Sequence, residues 1–257
     1  MPLMEHVREL RNRVLKAVLG LAVGTAAAWF LFDSVWALMT RQFCALPQSR
    51  ELTGHCDLLI SGVFDAFFLK LKVSFLLGLV FGSPIWLYQL WAFVAPGLHR
   101  REKRWALGFV AAAVPLFCFG AYLAYVTLPV GLRILLGFTP EHVVNALRVT
   151  DYLRYLTTML LVFGVSFEFP LLLLLLNLAG VLTYARLAGW WRGMILGIFV
   201  FAAVATPSQD PFTMLALAAP MCVFYVVVLL IAWIRRRRGG DGLYSDLPDD
   251  EPSTLEV

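Results

Sequence analysis

The chain has 257 residues, of which 60% are hydrophobic and only 15% are charged, and its mean hydropathy is +0.78. A soluble domain usually has about a quarter of its residues charged, so this composition leaves no room for a soluble catalytic module and favours a helical protein embedded in a membrane. The net charge of +4 does not indicate nucleic-acid binding, because the basic residues cluster at the ends of apolar segments, where they set membrane orientation.

The first 14 residues carry apolar side chains at helical spacing. These are Leu3, Val7, Leu10 and Val14. The pattern predicts a cytoplasmic amphipathic helix over 1–14, lying along the membrane surface and leading into the first span. Glu9 and Arg13 are four residues apart and can pair on its polar face. The alternative is an ordinary helix at the membrane boundary with solvated charges.

Six apolar segments follow along the chain. They cover about residues 15–39, 64–94, 105–136, 152–182, 193–206 and 212–234. Since a crossing needs about 20 residues, we predict an all-α integral membrane protein with six transmembrane helices, the fifth and sixth of them short. We expect the third helix to bend near Pro115 and to end near Pro129. The first segment is too long for a signal peptide, and five similar segments follow it.

Lysine and arginine are unevenly distributed between the two sides of these spans. Fourteen of the 21 fall on the side that holds both termini, which predicts cytoplasmic termini. Residues 1–238 then form one membrane domain, and we expect the Gly-, Asp- and Pro-rich residues 239–257 to be a disordered cytoplasmic tail. Lys70 and Lys72, near the outer end of the second span, either snorkel to the interface or line a wet surface, and snorkelling is the simpler interpretation.

The cysteines and histidines indicate neither a metal site nor catalysis. Cys44 and Cys56 share the predicted outer loop, residues 40–59, where they either form a disulfide or stay reduced. No Cys/His spacing matches a metal site, and no hydrolase, metalloprotease or phosphate-binding motif is present in the sequence. We therefore predict a protein that is not an enzyme and has no cofactor.

A carboxylate interrupts the fourth apolar segment. Glu168 stands inside residues 160–173, which are otherwise almost entirely apolar. An ionisable group at the centre of a span costs at least about 2.5–3.5 kcal/mol on insertion scales, so it marks a functional site by default. Pro170 frees a backbone carbonyl in the preceding turn. Glu168 is either a wet, partner-facing group or a neutral structural acid hydrogen-bonded between helices.

Five stretches, in this order, resemble the TatC family, the core receptor subunits of the twin-arginine protein translocase, in an actinobacterial-like form. They are residues 6–13 (HVRELRNR), 83–93 (SPIWLYQLWAF), 95–98 (APGL) with Glu102, 163–170 (FGVSFEFP), and 205–207 with 210–212. The similarity extends from His6 to about Arg235. It implies six spans arranged as a concave cup in the bacterial cytoplasmic membrane.

The resemblance also implies a function without catalysis. Such a subunit binds twin-arginine signal peptides and exports folded proteins with TatA and, where present, TatB, using the proton motive force. Self-association and contact with membrane lipid are expected as well. The residues that match the family's signal-peptide site are Glu9, Glu102, Arg11 and Phe93. Glu168 matches its intramembrane partner site, and Pro47 and Asp210 match its outer-loop positions, although Ser208-Gln209 lengthens the last loop.

The competing hypothesis is a proton-coupled transporter of small solutes. One buried carboxylate and two lysines could form a proton relay. The two halves of the chain show no repeat of the kind that such carriers often have.

Overall fold

The computed structural model describes residues 3–44, 58–60, 62–94, 102–139, 148–208 and 210–238. Ten α-helices account for most of these residues. They are α1 (Leu3–Phe30), α2 (Phe32–Cys44), α3 (Asp65–Phe81), α4 (Ser83–Val94), α5 (Glu102–Gly137), α6 (Val149–Ser166), α7 (Phe169–Leu178), α8 (Tyr184–Gly189), α9 (Trp191–Ala205) and α10 (Pro211–Arg237). Pro47, Cys56 and the predicted disordered tail lie outside the described residues.

These helices provide the apolar segments that a six-span membrane protein needs. Four stretches are long and apolar enough to cross a bilayer: Val7–Phe30, Leu107–Gly137, Val149–Leu178 and Pro211–Arg237. Helices α3 and α4 meet at an angle of 58° and together form a fifth candidate span. The sixth apolar helix is α9, with only 15 residues. This arrangement agrees with the predicted all-α membrane fold.

Several boundaries differ from the sequence-based expectation. Helix α1 is continuous from the amphipathic segment into the membrane and breaks only at Leu31. Helix α5 contains both of its prolines and does not end near Pro129, because a membrane helix surrounded by others tolerates one missing N–H donor. Helix α9 is short, as predicted, whereas α10 has 27 residues, since it continues through the basic residues after its apolar part.

Two pairs of helices approach closely where a glycine faces the neighbouring backbone. A Cβ atom added to Gly78 of α3 would lie 2.5 Å from the backbone nitrogen of Thr25 in α1. One added to Gly120 of α5 would lie 2.7 Å from the carbonyl oxygen of Phe163 in α6. Small residues allow this close packing between apolar helices. The α1–α3 and α5–α6 contacts are therefore specified by individual glycines.

Hydrogen bonds join the helices at the end of the molecule that we predict to be outer. The Tyr152 hydroxyl donates to the Met39 carbonyl at 2.5 Å, and the Tyr125 hydroxyl donates to the Leu38 carbonyl at 3.0 Å. Cys44, the last residue of α2, is disulfide-bonded, and its partner lies outside the described residues. The two tyrosine hydrogen bonds tie α2 to α5 and α6.

Candidate functional site

The first candidate site is a polar groove where the first half of α1 passes the middle of α4. Its volume is about 470 Å³, and we call it the inner groove. It is lined by Arg8, Glu9, Asn12, Arg13, Lys16, Tyr88 and Gln89. Glu9 is the single acid in this lining, beside three basic side chains, Arg8, Arg13 and Lys16. Glu9 is therefore the one anionic side chain in this lining that can pair with a cation.

Glu9 is already engaged by a basic residue of its own helix. Both Nε and Nη2 of Arg13 donate to Oε1 of Glu9, at 2.9 Å and 2.6 Å. The predicted pairing of these residues is confirmed. Oε2 of Glu9 makes no hydrogen bond within the described part of the chain. A second guanidinium can reach this oxygen while Arg13 keeps the first.

Two other residues of the predicted signal-peptide site, Arg11 and Phe93, are not among the lining residues of the groove. Arg11 is exposed on α1, and Phe93 is half-buried in the last turn of α4. Glu102 is the first residue of α5, and the position of its side chain lies outside the description. The geometry thus brings Glu9 beside the middle of α4, but it does not test whether Glu102 shares the site.

The second candidate site is a cavity inside the apolar part of the molecule, which we call the membrane cavity. It has a volume of about 960 Å³ and lies between the ends of α4 and α7 and the faces of α6 and α9. Its wall is almost entirely apolar and includes Val165, Phe169 and Phe201. Glu168 is the single ionisable residue in that wall, and it is 8% exposed.

Glu168 lies at the break between α6 and α7. Residues 167 and 168 form a turn between the two helices, in which the Phe167 N–H donates to the Phe163 carbonyl at 3.2 Å and the Glu168 N–H to the Val165 carbonyl at 3.1 Å. Pro170, which has no N–H to donate, stands in the first turn of α7. Glu168 Oε2 accepts a hydrogen bond from Trp91 Nε1 at 3.2 Å, whereas Oε1 is buried and has no partner in the described residues. One oxygen of this acid thus bonds to a neighbouring helix, as the structural interpretation expects. The other oxygen has no partner in the described residues and is the one that a partner-facing role would use.

Trp91 is the functional candidate that the sequence analysis missed. The sequence analysis included it only in the stretch 83–93 that resembles the TatC family, but the side chain is 3% exposed and its N–H donates to Glu168. The available signal was general, since a buried indole N–H requires an acceptor and Glu168 is the obvious acidic one. That α4 lies against the start of α7 is known only from the fold, because the two helices are distant in sequence.

Asp210, predicted as an outer-loop functional residue, caps the N-terminus of α10. Its Oδ1 accepts hydrogen bonds from the backbone N–H groups of Phe212 and Thr213, at 3.0 Å and 2.9 Å, and its Oδ2 accepts one from the Thr213 hydroxyl at 2.6 Å. Burial raises the pKa of the Asp210 carboxyl, but hydrogen bonds from Ser208 and from these groups outweigh it, so the pKa lies below its ordinary value.

We expect Asp210→Ala to lower the free energy of unfolding by about 0.5–2 kcal/mol, the usual contribution of a helix cap. Since the folded pKa is depressed, this contribution is present above the unfolded value of about 3.9 and is lost as the pH falls through the folded value. Thermal unfolding in detergent should therefore separate variant from parent at neutral pH, and the separation should shrink as the pH is lowered below about 3.9. Asp151→Ala, an exposed acid near the start of α6, is the matched control. Equal effects of the two substitutions would contradict the capping role.

A family profile described as "Sec-independent protein translocase protein (TatC)" matches residues 5–220. The chain belongs to the TatC family. A TatC protein of Frankia casuarinae is 48% identical over all of this chain and 73% of its own length. The TatC protein of Xylanimonas cellulosilytica is 43% identical over 92% of this chain and 86% of its own length.

Solved structures agree with this assignment. The crystal structure of the twin-arginine translocase receptor TatC in DDM has a TM-score of 0.70 and 29% identity, covering 88% of this chain and 99% of that one. TatC proteins are translocase components that work with other Tat subunits and are not enzymes. The predictions of family, fold class and non-enzymatic transport function are thereby confirmed. The alternative of a proton-coupled solute transporter gains no support.

Proposed function

We propose that this chain is the subunit of the Sec-independent translocase that recognises twin-arginine signal peptides. In this proposal it lies in the bacterial cytoplasmic membrane with both termini in the cytoplasm. It exports folded proteins together with TatA- and TatB-type single-span subunits, driven by the proton motive force. The observation that carries the proposal is the inner groove, in which Glu9 keeps one carboxylate oxygen unbonded among basic side chains.

The chemistry of a twin-arginine motif matches this groove. Each guanidinium is a planar, permanently charged fork that a carboxylate can bind through two hydrogen bonds, and a lysine ammonium lacks that geometry. The neighbouring Arg8, Arg13 and Lys16 repel an incoming arginine pair. Glu9, together with Glu102 at the start of α5, is therefore the proposed anchor. Arg11 and Phe93 are the proposed neighbours of the bound peptide.

The two acids contribute selectivity rather than most of the affinity. An exposed ion pair is worth about 0–1 kcal/mol, and a charge-assisted hydrogen bond about 1.5–3 kcal/mol. Micromolar binding needs about 8 kcal/mol. The apolar part of the signal peptide must supply the difference by lying against the spans, which expose many apolar side chains.

The membrane cavity is the proposed docking site for a single-span partner. Its size and apolar wall suit a helix, and the unpartnered Oε1 of Glu168 suits a polar side chain on that helix. Pro47 and Asp210 are proposed to act on the outer side, where Asp210 fixes the start of α10. Self-association of the subunit and contact with membrane lipid remain part of the proposal.

Site-specific crosslinking tests the receptor role. A photoreactive residue at Asn12 or Gln89 lines the inner groove and leaves Glu9 intact. We expect it to crosslink a signal peptide carrying Arg-Arg at least about ten-fold more than one carrying Lys-Lys, since losing one charge-assisted hydrogen bond has that effect. The same probe at the exposed Lys72, near the predicted outer end of the second span, is the control and should crosslink neither peptide. Equal crosslinking of the two peptides in the groove would refute the proposal.

A further inference from the structure

Trp91 connects the end of α4 to the acid in the membrane cavity. Its Nε1–H donates to Glu168 Oε2 at 3.2 Å, across 77 positions of sequence. An indole N–H can only donate and a carboxylate can only accept, so the contact has a fixed direction. This bond links α4 directly to the break between α6 and α7.

A third helix holds the indole of Trp91 in place. The ring stacks on Phe109 of α5, with centroids 5.6 Å apart and an angle of 19° between the planes. Trp91 is 3% exposed and Phe109 is 7% exposed, so the stack is buried. The N–H cannot turn away from Glu168 without disturbing α5.

The bond to Trp91 divides the carboxyl group of Glu168 into two different atoms. Oε2 is occupied, whereas Oε1 is buried without a hydrogen-bond partner among the described residues. Apart from Ser166, the other side chains that line the cavity are apolar. A buried acceptor of this kind favours an occupant that brings an N–H or O–H donor. If Oε2 were released, the carboxyl group could rotate and offer neither oxygen in a fixed direction.

From these contacts we propose that Trp91 is a positioning residue: it holds Oε2 of Glu168 and thereby aims Oε1 at a donor side chain on a single-span partner helix in the membrane cavity. The inference deepens the proposed function and rests on it. Trp91 lies two residues before Phe93 and on the helix whose Tyr88 and Gln89 line the inner groove. A shift of α4 during signal binding therefore reaches the partner site through one hydrogen bond.

The test removes this N–H with little change in shape. Replacing Trp91 by 3-benzothienylalanine, which has sulfur in place of the ring N–H, leaves the stack on Phe109 intact, and Trp91→Phe is the genetically simpler variant. The matched control is Trp86→Phe. Trp86 is on the same helix, donates to the Leu79 carbonyl at 2.9 Å and packs its ring on Phe117. Neither of these contacts involves Glu168.

Two crosslinking probes read the two sites separately in membranes that contain the chain and its single-span partner. A probe at Val165 reports partner contact in the membrane cavity, and a probe at Gln89 reports signal-peptide contact in the inner groove. Both Trp91 variants should lower partner crosslinking by about ten-fold, the effect of one lost hydrogen bond, and leave signal crosslinking unchanged. Trp86→Phe should change neither. Adding Glu168→Gln to Trp91→Phe should cause no further loss, since both act on one contact.

The outcomes separate this inference from the proposed function. If the parent chain crosslinks no signal peptide at Gln89, the proposed function fails and the inference falls with it. If signal crosslinking is normal but the Trp91 variants match Trp86→Phe at Val165, only the positioning role is overturned. If Trp91→Phe is poorly recovered from membranes, the sulfur isostere decides, because it preserves the packing.

Discussion

Replacing Glu102 or Glu9 by alanine should abolish export of twin-arginine cargo while the protein stays inserted in the membrane. Each carboxylate that is lost removes charge-assisted hydrogen bonds worth about 1.5–3 kcal/mol, which weakens signal binding by about ten- to hundred-fold. The basic side chains that remain in the inner groove then repel the arginine pair without opposition. The measurement is export of a reporter with a twin-arginine leader, together with the amount of each variant in the membrane.

Two control substitutions separate ligand binding from local stability. Arg13→Ala breaks the same Glu9–Arg13 ion pair but keeps the carboxylate, so export should persist. Asp33→Ala removes an exposed acid on α2, away from the groove, and should also leave export normal. If Arg13→Ala lost export as completely as Glu9→Ala, the ion pair itself would be the important feature and the signal-binding role of Glu9 would be wrong.

The local features of the fold could be predicted because they depend on neighbours in sequence. Apolar runs long enough to cross a bilayer identify the spans, and the spacing of Glu9 and Arg13 identifies their ion pair. Pro170 interrupts the helix that carries Glu168, since it removes one N–H donor wherever it stands. Each of these follows from the geometry of a single helix.

The contacts between helices could not be predicted in the same way. Nothing near Trp91 in sequence indicates that its N–H meets Glu168, because the bond depends on how α4 packs against α6 and α7. Pro129 resembles a helix terminator in sequence, yet α5 continues past it inside a bundle. Asp210 was expected to act in function, and only the geometry of the turn before α10 identifies it as a cap.

Glu168→Ala should block transport and partner assembly while signal-peptide binding persists. The substitution removes the acceptor that a partner's donor requires in the membrane cavity, whereas the inner groove is lined by residues of α1 and α4, neither of which carries Glu168. It also leaves the buried N–H of Trp91 without an acceptor, which destabilises the fold by about 1–3 kcal/mol. Export of the reporter, signal crosslinking at Gln89 and thermal unfolding in detergent should be measured on the same preparation.

Glu168→Gln and Ser166→Ala distinguish the two consequences of that change. Glutamine keeps an oxygen for Trp91 but turns an amide N–H₂ toward the cavity, so stability should recover while transport stays low. Ser166 is also a polar residue of the cavity lining, but its hydroxyl donates to the Val162 carbonyl of its own helix, and its loss should leave transport normal. Normal transport by Glu168→Gln would mean that Glu168 serves the fold alone, because the partner would then have no need of a cavity-facing acceptor. Loss of signal binding in Glu168→Ala would instead show that the two sites act as one.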